Sequence, residues 1–178
     1  MQRSGRTALQ SEAARAPQTM NAEWEPVRPL AIPGVQIKEI KNVVVRSGVL
    51  TECYRSEWFE PSFHALHIVH MSLLAGGGSS WHCHRHQSDV VIPVLGQLRI
   101  GLYDDRSESS SYRCFEMLHV SVARPVAVYV PPLVWHAVKN PTNESAAYVV
   151  ANDKPYSYEE PDDWILPIGS PGIPHSLD

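Results

Sequence analysis

Cysteine is scarce in this chain. Only three cysteines occur among 178 residues, Cys53, Cys83 and Cys114, and no two of them have Cys-x-x-Cys spacing. Three cysteines cannot all pair within one chain, and their spacing does not indicate a paired motif. We therefore expect free thiols and a cytoplasmic location.

Long apolar runs and basic clusters are also missing. No stretch approaches the roughly 18 apolar residues that a membrane helix needs, and no secretory apolar segment follows Met1. The 15 lysines and arginines are outnumbered by 19 acidic residues, which gives a formal net charge of −4. Without a basic field the chain is not expected to bind nucleic acid. Membranes and polyanions are thus excluded as partners, and a small-molecule substrate is favoured.

No segment keeps a helical period, whereas short apolar runs return about every ten residues between turn-forming residues, as in all-β proteins. This spacing predicts one antiparallel β domain, a sandwich or small barrel. Leu95–Leu98, centred on Gly96, is predicted to form a tight hairpin. The predicted strands are 35–40, 43–45, 49–54, 64–74, 81–84, 90–95, 98–103, 112–120, 126–130, 135–138 and 146–151.

The two ends differ in composition from the middle. Residues 1–23 are polar and without period, which predicts a disordered leader. Residues 24–154 hold the predicted barrel. Residues 155–178 contain five prolines, Pro155, Pro161, Pro167, Pro171 and Pro174, and are expected to lie extended on the barrel surface.

A histidine pair stands out after the glycines at 76–78. His82 and His84 alternate with Cys83, so in an extended strand both imidazoles point to one face and the thiol to the other. Asp89 follows five residues later. Two imidazoles and a carboxylate are a plausible ligand set for a divalent transition metal, although a single His-x-His pair is weak by itself.

A second segment supplies a third histidine. After the apolar run 126–130, Pro131 precedes His136, and Asn140 follows four residues later. The two segments together resemble the paired motifs of the cupin superfamily. The first motif is matched at every spacing by Gly76, His82, His84, Asp89 and Gly96, with aspartate in place of glutamate. In the second, Pro131, His136 and Asn140 match, whereas Pro125 and Leu133 stand where the family has glycine.

The cupin resemblance implies a fold and a metal site. The implied fold is the double-stranded β-helix, or jelly-roll barrel, in a single domain. The implied metal ligands are His82, His84, Asp89 and His136. They would bind one divalent transition metal, namely Fe, Mn, Ni or Zn.

A closer resemblance covers about residues 30–166. The segments 32–37 and 46–52 resemble the opening of the dTDP-4-dehydrorhamnose 3,5-epimerase family, and residues 90–106 and 152–164 also resemble it. The resemblance implies proton transfer next to a ketone in a nucleotide sugar, with His82 at the base position, His136 as the second histidine and Tyr148 near the family's tyrosine. Asp89 stands where that family has a lysine, and no residue matches the aspartate that orients the base.

Three functions remain open at this stage. The first is a sugar-nucleotide epimerase or isomerase, with a nucleotide sugar as substrate. The second is a metal-dependent oxygenase or isomerase acting on a small acid or ketone, and the third is a non-catalytic cupin that binds a small molecule. Fold does not separate them. A homodimer is expected in each case, because the apolar residues Val43, Val44 and Val45 offer a strand edge for a second copy.

Overall fold

The computed structural model describes residues 30–178 and, ahead of them, residues 13–14, 16 and 18–22. Most of the predicted leader therefore lies outside the described residues. Apart from a short 3₁₀ turn at Ser56–Trp58, the regular structure of the described residues is all β, as predicted. None of the described residues belongs to a helix long and apolar enough to span a membrane.

Twelve strands are formed by the described residues: β1 (Gln36–Glu39), β2 (Asn42–Val45), β3 (Gly48–Thr51), β4 (His67–Leu73), β5 (Trp81–Cys83), β6 (Asp89–Leu95), β7 (Gln97–Asp104), β8 (Phe115–Ser121), β9 (Val126–Val130), β10 (Val134–Lys139), β11 (Ala146–Asn152) and β12 (Trp164–Leu166). The first eleven coincide with the predicted apolar runs to within a few residues. The twelfth was not predicted, because Trp164–Leu166 is short and follows a proline-rich stretch.

The strands form two antiparallel five-stranded sheets and one separate hairpin. The front sheet has the order β1-β9-β6-β11-β4, and the back sheet has the order β12-β5-β10-β7-β8. Strands β2 and β3 pair only with each other. Apolar side chains from both sheets, such as Val91 and Val128 in front and Ile100 and Val138 behind, pack into one core between them.

The outer faces of both sheets are covered as well. Phe59 and Phe63, from the loop after β3, pack on Val90 and Tyr129 of the front sheet. On the back sheet, Ile173 and Leu177 of the C-terminal segment bury Trp81, Tyr103 and Ala137. Because the central strands are buried on two sides, their sequences are continuously apolar and do not alternate.

The chain crosses between the sheets at Gly96. Strand β6 belongs to the front sheet and β7 to the back sheet, so the predicted hairpin at Leu95–Leu98 is wrong. Gly96 has φ +71°, and a Cβ there would lie 3.2 Å from the Ser145 carbonyl oxygen. A one-residue corner of this kind has the same glycine signature as a hairpin turn, which explains the error.

Candidate metal centre and substrate cavity

Three histidines come together on the inner face of the back sheet. His82 on β5 is the direct register partner of His136 on β10. His84 lies one residue after the end of β5, and its side chain points to the same face as that of His82, as predicted from the alternation along a strand. The ring centroids of His82 and His136 are 4.0 Å apart, and those of His84 and His136 are 5.7 Å apart.

A carboxylate from the opposite sheet completes the cluster. Asp89 is the first residue of β6, and its Oδ2 lies 3.1 Å from His84 Nε2 and 3.1 Å from His136 Nε2. One donor atom from each of His82, His84, Asp89 and His136 lies within 4.8 Å of the others. All four predicted ligands are thus brought together. His84, Asp89 and His136 are buried, whereas His82 is partly accessible.

Backbone carbonyls fix the orientation of the three imidazole rings. Nδ1 of His82 faces the Ser80 carbonyl at 3.3 Å, Nδ1 of His84 faces the Asp162 carbonyl at 2.6 Å, and Nδ1 of His136 faces the Val134 carbonyl at 3.0 Å. A carbonyl oxygen only accepts, so each Nδ1 carries the proton and donates it. Each Nε2 then points to the centre of the cluster, from which it can bind a metal once it carries no proton.

The four residues of the cluster differ in charge at neutral pH. Burial raises the pKa of Asp89, but hydrogen bonds with His136 and His84 outweigh it and hold the pKa well below its ordinary value. Burial, reinforced by His136, lowers the pKa of His82 to about 3. Burial also lowers the pKa of His84, but its hydrogen bond with Asp89 and the charge of Asp89 raise it to about 9. The cluster therefore holds an ionised Asp89, a neutral His82 and a protonated His84, which would release its proton on binding a metal.

A cavity of about 350 Å³ opens onto this cluster. His82, His84 and Asp89 form part of its lining, together with residues of β4, β11 and the segment 154–163. The volume is within the roughly 300–1,000 Å³ of small-molecule sites. The cluster is therefore positioned to act on a bound small molecule.

Tyr148 lies in the wall of the same cavity. It is only 4% exposed, and β11 places it on the side that faces the cluster. Burial and the nearby Asp89 raise its pKa to about 12. Its hydroxyl therefore keeps its proton at neutral pH, so Tyr148 can donate a proton or a hydrogen bond but cannot act as a base.

Two aspartates of the segment after β11 contact the cluster and were missed by the sequence reasoning. Asp163 Oδ1 lies 3.3 Å from His84 Nδ1. The Asp162 carboxylate accepts the backbone N–H groups of Arg85 and His86, at 2.9 and 2.7 Å. These residues are nearly 80 positions from His84, and no local pattern signals such a contact.

A larger cavity, about 560 Å³, lies on the outer side of β5. It is lined by Cys83, Trp135 and Trp164 among others, and none of the four clustered residues reaches it. Burial raises the pKa of the Cys83 thiol to about 11, so this cysteine is protonated at neutral pH and is not an activated nucleophile.

Comparison with known proteins gives a consistent result. No family model matches the sequence. A sequence relative, the probable low-salt glycan biosynthesis epimerase Agl13 of Haloferax volcanii, is 24% identical over 137 residues, which are 76% of this chain and 88% of the relative.

Solved structures share the fold over most of the chain. A dTDP sugar isomerase from Desulfovibrio desulfuricans superposes with a TM-score of 0.74 and 20% identity, covering 82% of this chain and 91% of that chain. The 3′-monoepimerase ChmJ of Streptomyces bikiniensis, in complex with dTDP-quinovose, gives 0.72 and 19%, covering 83% and 76%. The fold predicted from the two motifs is confirmed: the chain adopts the cupin barrel of the dTDP-sugar epimerases and isomerases.

Proposed function

We propose that this protein is a sugar-nucleotide epimerase or isomerase that works at a carbon next to a ketone, with one divalent transition metal in its site. The observation that carries the proposal is the convergence of three oriented imidazoles and one ionised carboxylate beside a ligand-sized cavity, which His82, His84 and Asp89 line. The fold neighbours act on or bind dTDP sugars, which supports a 4-keto-6-deoxysugar nucleotide as substrate.

We assign the metal to His84, Asp89 and His136, the three residues joined by short contacts. Two histidines and one carboxylate are a common set for Fe and related ions with open positions. When bound, the ion polarises the substrate carbonyl and stabilises negative charge on its oxygen. The positive charge of the ion would compensate for the aspartate at position 89, where the epimerase family has a lysine, because a carboxylate without a metal would repel the negative charge on the substrate oxygen.

His82 is then the candidate base. Its Nε2 either completes the ligand set or accepts a substrate proton, and the two uses exclude each other. We assign it to the proton, because it lines the cavity and, unlike His84 and His136, has no short contact with Asp89. Tyr148 returns a proton from its own position in the cavity wall, since its raised pKa keeps the hydroxyl protonated.

Hydrogen exchange tests this function. Metal-loaded protein is expected to wash deuterium from D₂O into a dTDP-4-keto-6-deoxysugar, followed by NMR or mass spectrometry. Chelation should slow the exchange by at least about 100-fold, and His82→Asn should abolish it. Fast exchange in the presence of a chelator would show that the metal takes no part in the reaction. No exchange by metal-loaded protein with any such sugar would refute the epimerase.

A second candidate function is a metal-dependent oxygenase or isomerase acting on a small acid or ketone. The charge of the cavity lining favours this second function. Among the described residues of the lining, Lys154 is the one lysine or arginine, whereas Glu160, Asp162 and Asp163 all carry carboxylates. A single lysine supplies little positive charge for binding the diphosphate of a nucleotide sugar. Thermal stabilisation across nucleotide sugars and small keto acids separates the two candidates, because a ligand at 100 times its Kd adds about 2.7 kcal/mol.

We also propose that the protein works as a cytoplasmic homodimer. All three cysteines are free thiols in the structure, which suits a reducing compartment. The hairpin β2–β3 exposes Val44 at 83% and Val49 and Leu50 at 63% each. An isolated two-stranded hairpin is marginally stable, so a second copy packed on these side chains would stabilise it.

A further inference from the structure

The two oxygens of the Asp89 carboxylate have separate partners. Oδ2 faces the imidazoles of His84 and His136. Oδ1 accepts a hydrogen bond from Asn152 Nδ2 at 2.7 Å and another from Gln87 Nε2 at 2.9 Å. The side chain of Asp89 is 2% exposed, so water does not compete for either oxygen.

The two amide donors restrict what Asp89 can do. They fix the rotation of the carboxylate about its terminal bond, because turning it would break both hydrogen bonds. They also use the lone pairs of Oδ1, which leaves Oδ2 alone to contact the centre of the cluster. Each amide must present nitrogen to Oδ1, since an ionised carboxylate has no proton to donate.

The backbone holds Asn152 more firmly than Gln87. Asn152 is the last residue of β11 and the direct register partner of Asp89 on β6. Its side chain is enclosed, and the residue is 6% exposed. Gln87 lies in the loop between β5 and β6 and is only partly buried. The contact from Asn152 is therefore built into the strand pairing, and Gln87 reinforces it.

We propose that Asn152, assisted by Gln87, is a positioning residue that makes Asp89 a one-oxygen ligand of the metal. The inference rests on the proposed function, because it assumes that the cluster binds a metal. A carboxylate held by one oxygen leaves a coordination position for substrate that two-oxygen chelation would occupy. Asn152 also lines the cavity, and the role assigned to it here is exerted through its hydrogen bond to Asp89.

The test uses Co²⁺ as the metal, because its visible absorption reports the coordination number. Wild-type protein, Asn152→Ala, Gln87→Ala and a control, Asn140→Ala, are stripped of metal and titrated. Asn140 is a matched control, since it is fully buried and donates to the Leu74 and Glu144 carbonyls away from Asp89. Thermal melts show which variants are folded.

We expect Asn152→Ala to raise the Kd for Co²⁺ by about 10- to 100-fold, as loss of a contact to a ligand typically does. We expect Gln87→Ala to raise it several-fold. The absorption of the Asn152→Ala complex should weaken as Asp89 turns and binds through both oxygens. Asn140→Ala should keep the Kd and spectrum of the wild type even where it lowers the melting temperature.

Three results would overturn the inference. The first is a folded Asn152→Ala with a Kd within twofold of wild type and an unchanged spectrum. The second is an Asn140→Ala that shifts Kd and spectrum equally, which would mean general loosening. If Asn152→Ala does not fold, the loop variant Gln87→Ala tests the inference in its place. The third overturning result would then be a Gln87→Ala protein with the Kd and spectrum of the wild type. A wild-type protein that binds no Co²⁺ refutes the metal site itself, which is a separate failure.

Discussion

Leu133 has a left-handed backbone, with φ +67°, at the position where the second cupin motif has glycine. A residue with a side chain thus occupies a backbone conformation that favours glycine. Its backbone N–H donates to the His84 carbonyl at 2.7 Å, which ties the turn to the metal centre. The strain at Leu133 is thus accepted at a position that helps to hold His84.

This strain predicts a stabilising substitution. Leu133→Gly should raise the free energy of unfolding by about 0.5–1 kcal/mol, because a left-handed non-glycine residue costs about 1–2 kcal/mol and the greater freedom of unfolded glycine returns part of that. The side chain is 47% exposed, so little packing is lost. Urea denaturation measures the change. A loss of more than about 1 kcal/mol would show that Leu133 packing outweighs the strain.

A second buried carboxylate, Asp104, has a structural role. Burial raises its pKa, but hydrogen bonds from Arg106, Ser109 and Ser111 outweigh it and lower the pKa well below its ordinary value. Arg106 also donates to the Pro33 carbonyl at 2.9 Å, so the pair ties the end of β7 to the chain before β1. Asp104 is fully buried, and its partner Arg106 is partly exposed.

Asp104→Asn should cost about 2 kcal/mol at pH 7, because it removes a buried charge from its cationic partner. The folded pKa is depressed, so the stabilisation is complete above the unfolded pKa of about 4 and is lost as the pH falls further. The difference between wild type and variant should therefore shrink below about pH 4. Urea titrations at several pH values measure it. A difference that is constant from pH 7 to pH 3 would rule out the ionised pair.

At the scale of elements, most strands could be predicted from sequence because turn residues and short apolar runs are local signals. The Gly96 crossover could not, since the choice of sheet depends on partners distant in sequence. Strand β12 has too few residues for a period, and it is specified by pairing with β5.

The same distinction holds within the site. His82, His84, Asp89 and His136 could be predicted because two motifs keep fixed spacings within two short segments of the chain. Asn152, Asp162 and Asp163 could not, because they reach the cluster through strand pairing and through a segment without periodic structure. Tyr148 was named from the family resemblance, and only the register of β11 shows that it lines the cavity.

The β2–β3 hairpin gives the prediction at this scale. Val44→Lys combined with Val49→Lys places two charges on the directly paired positions of the exposed hairpin. If a second copy packs there, sedimentation should show a dimer for wild type and a monomer for the variant at about 10 µM, where micromolar contacts persist. Leu74→Lys is the control, since Leu74 is similarly exposed and lies outside the hairpin. A wild-type monomer, or a dimeric variant, would contradict the proposal.

At the scale of the whole molecule, the barrel brings residues from both sheets to one point. His82 and His136 come from the back sheet, and Asp89 comes from the front sheet. Their donor atoms converge only when the sheets are packed together. The core between the sheets therefore preorganises the site, and a bound metal would in turn stabilise the packed state.

The most direct test of the metal centre is the metal content of the purified protein, measured by elemental analysis alongside His136→Ala and His82→Asn. We expect about one equivalent of Fe, Mn, Ni or Zn per folded chain in the wild type, bound or taken up on titration. We expect loss of the metal in His136→Ala and retention in His82→Asn, which keeps the three assigned ligands. A wild-type protein that neither carries metal nor takes it up would contradict the proposed metal centre.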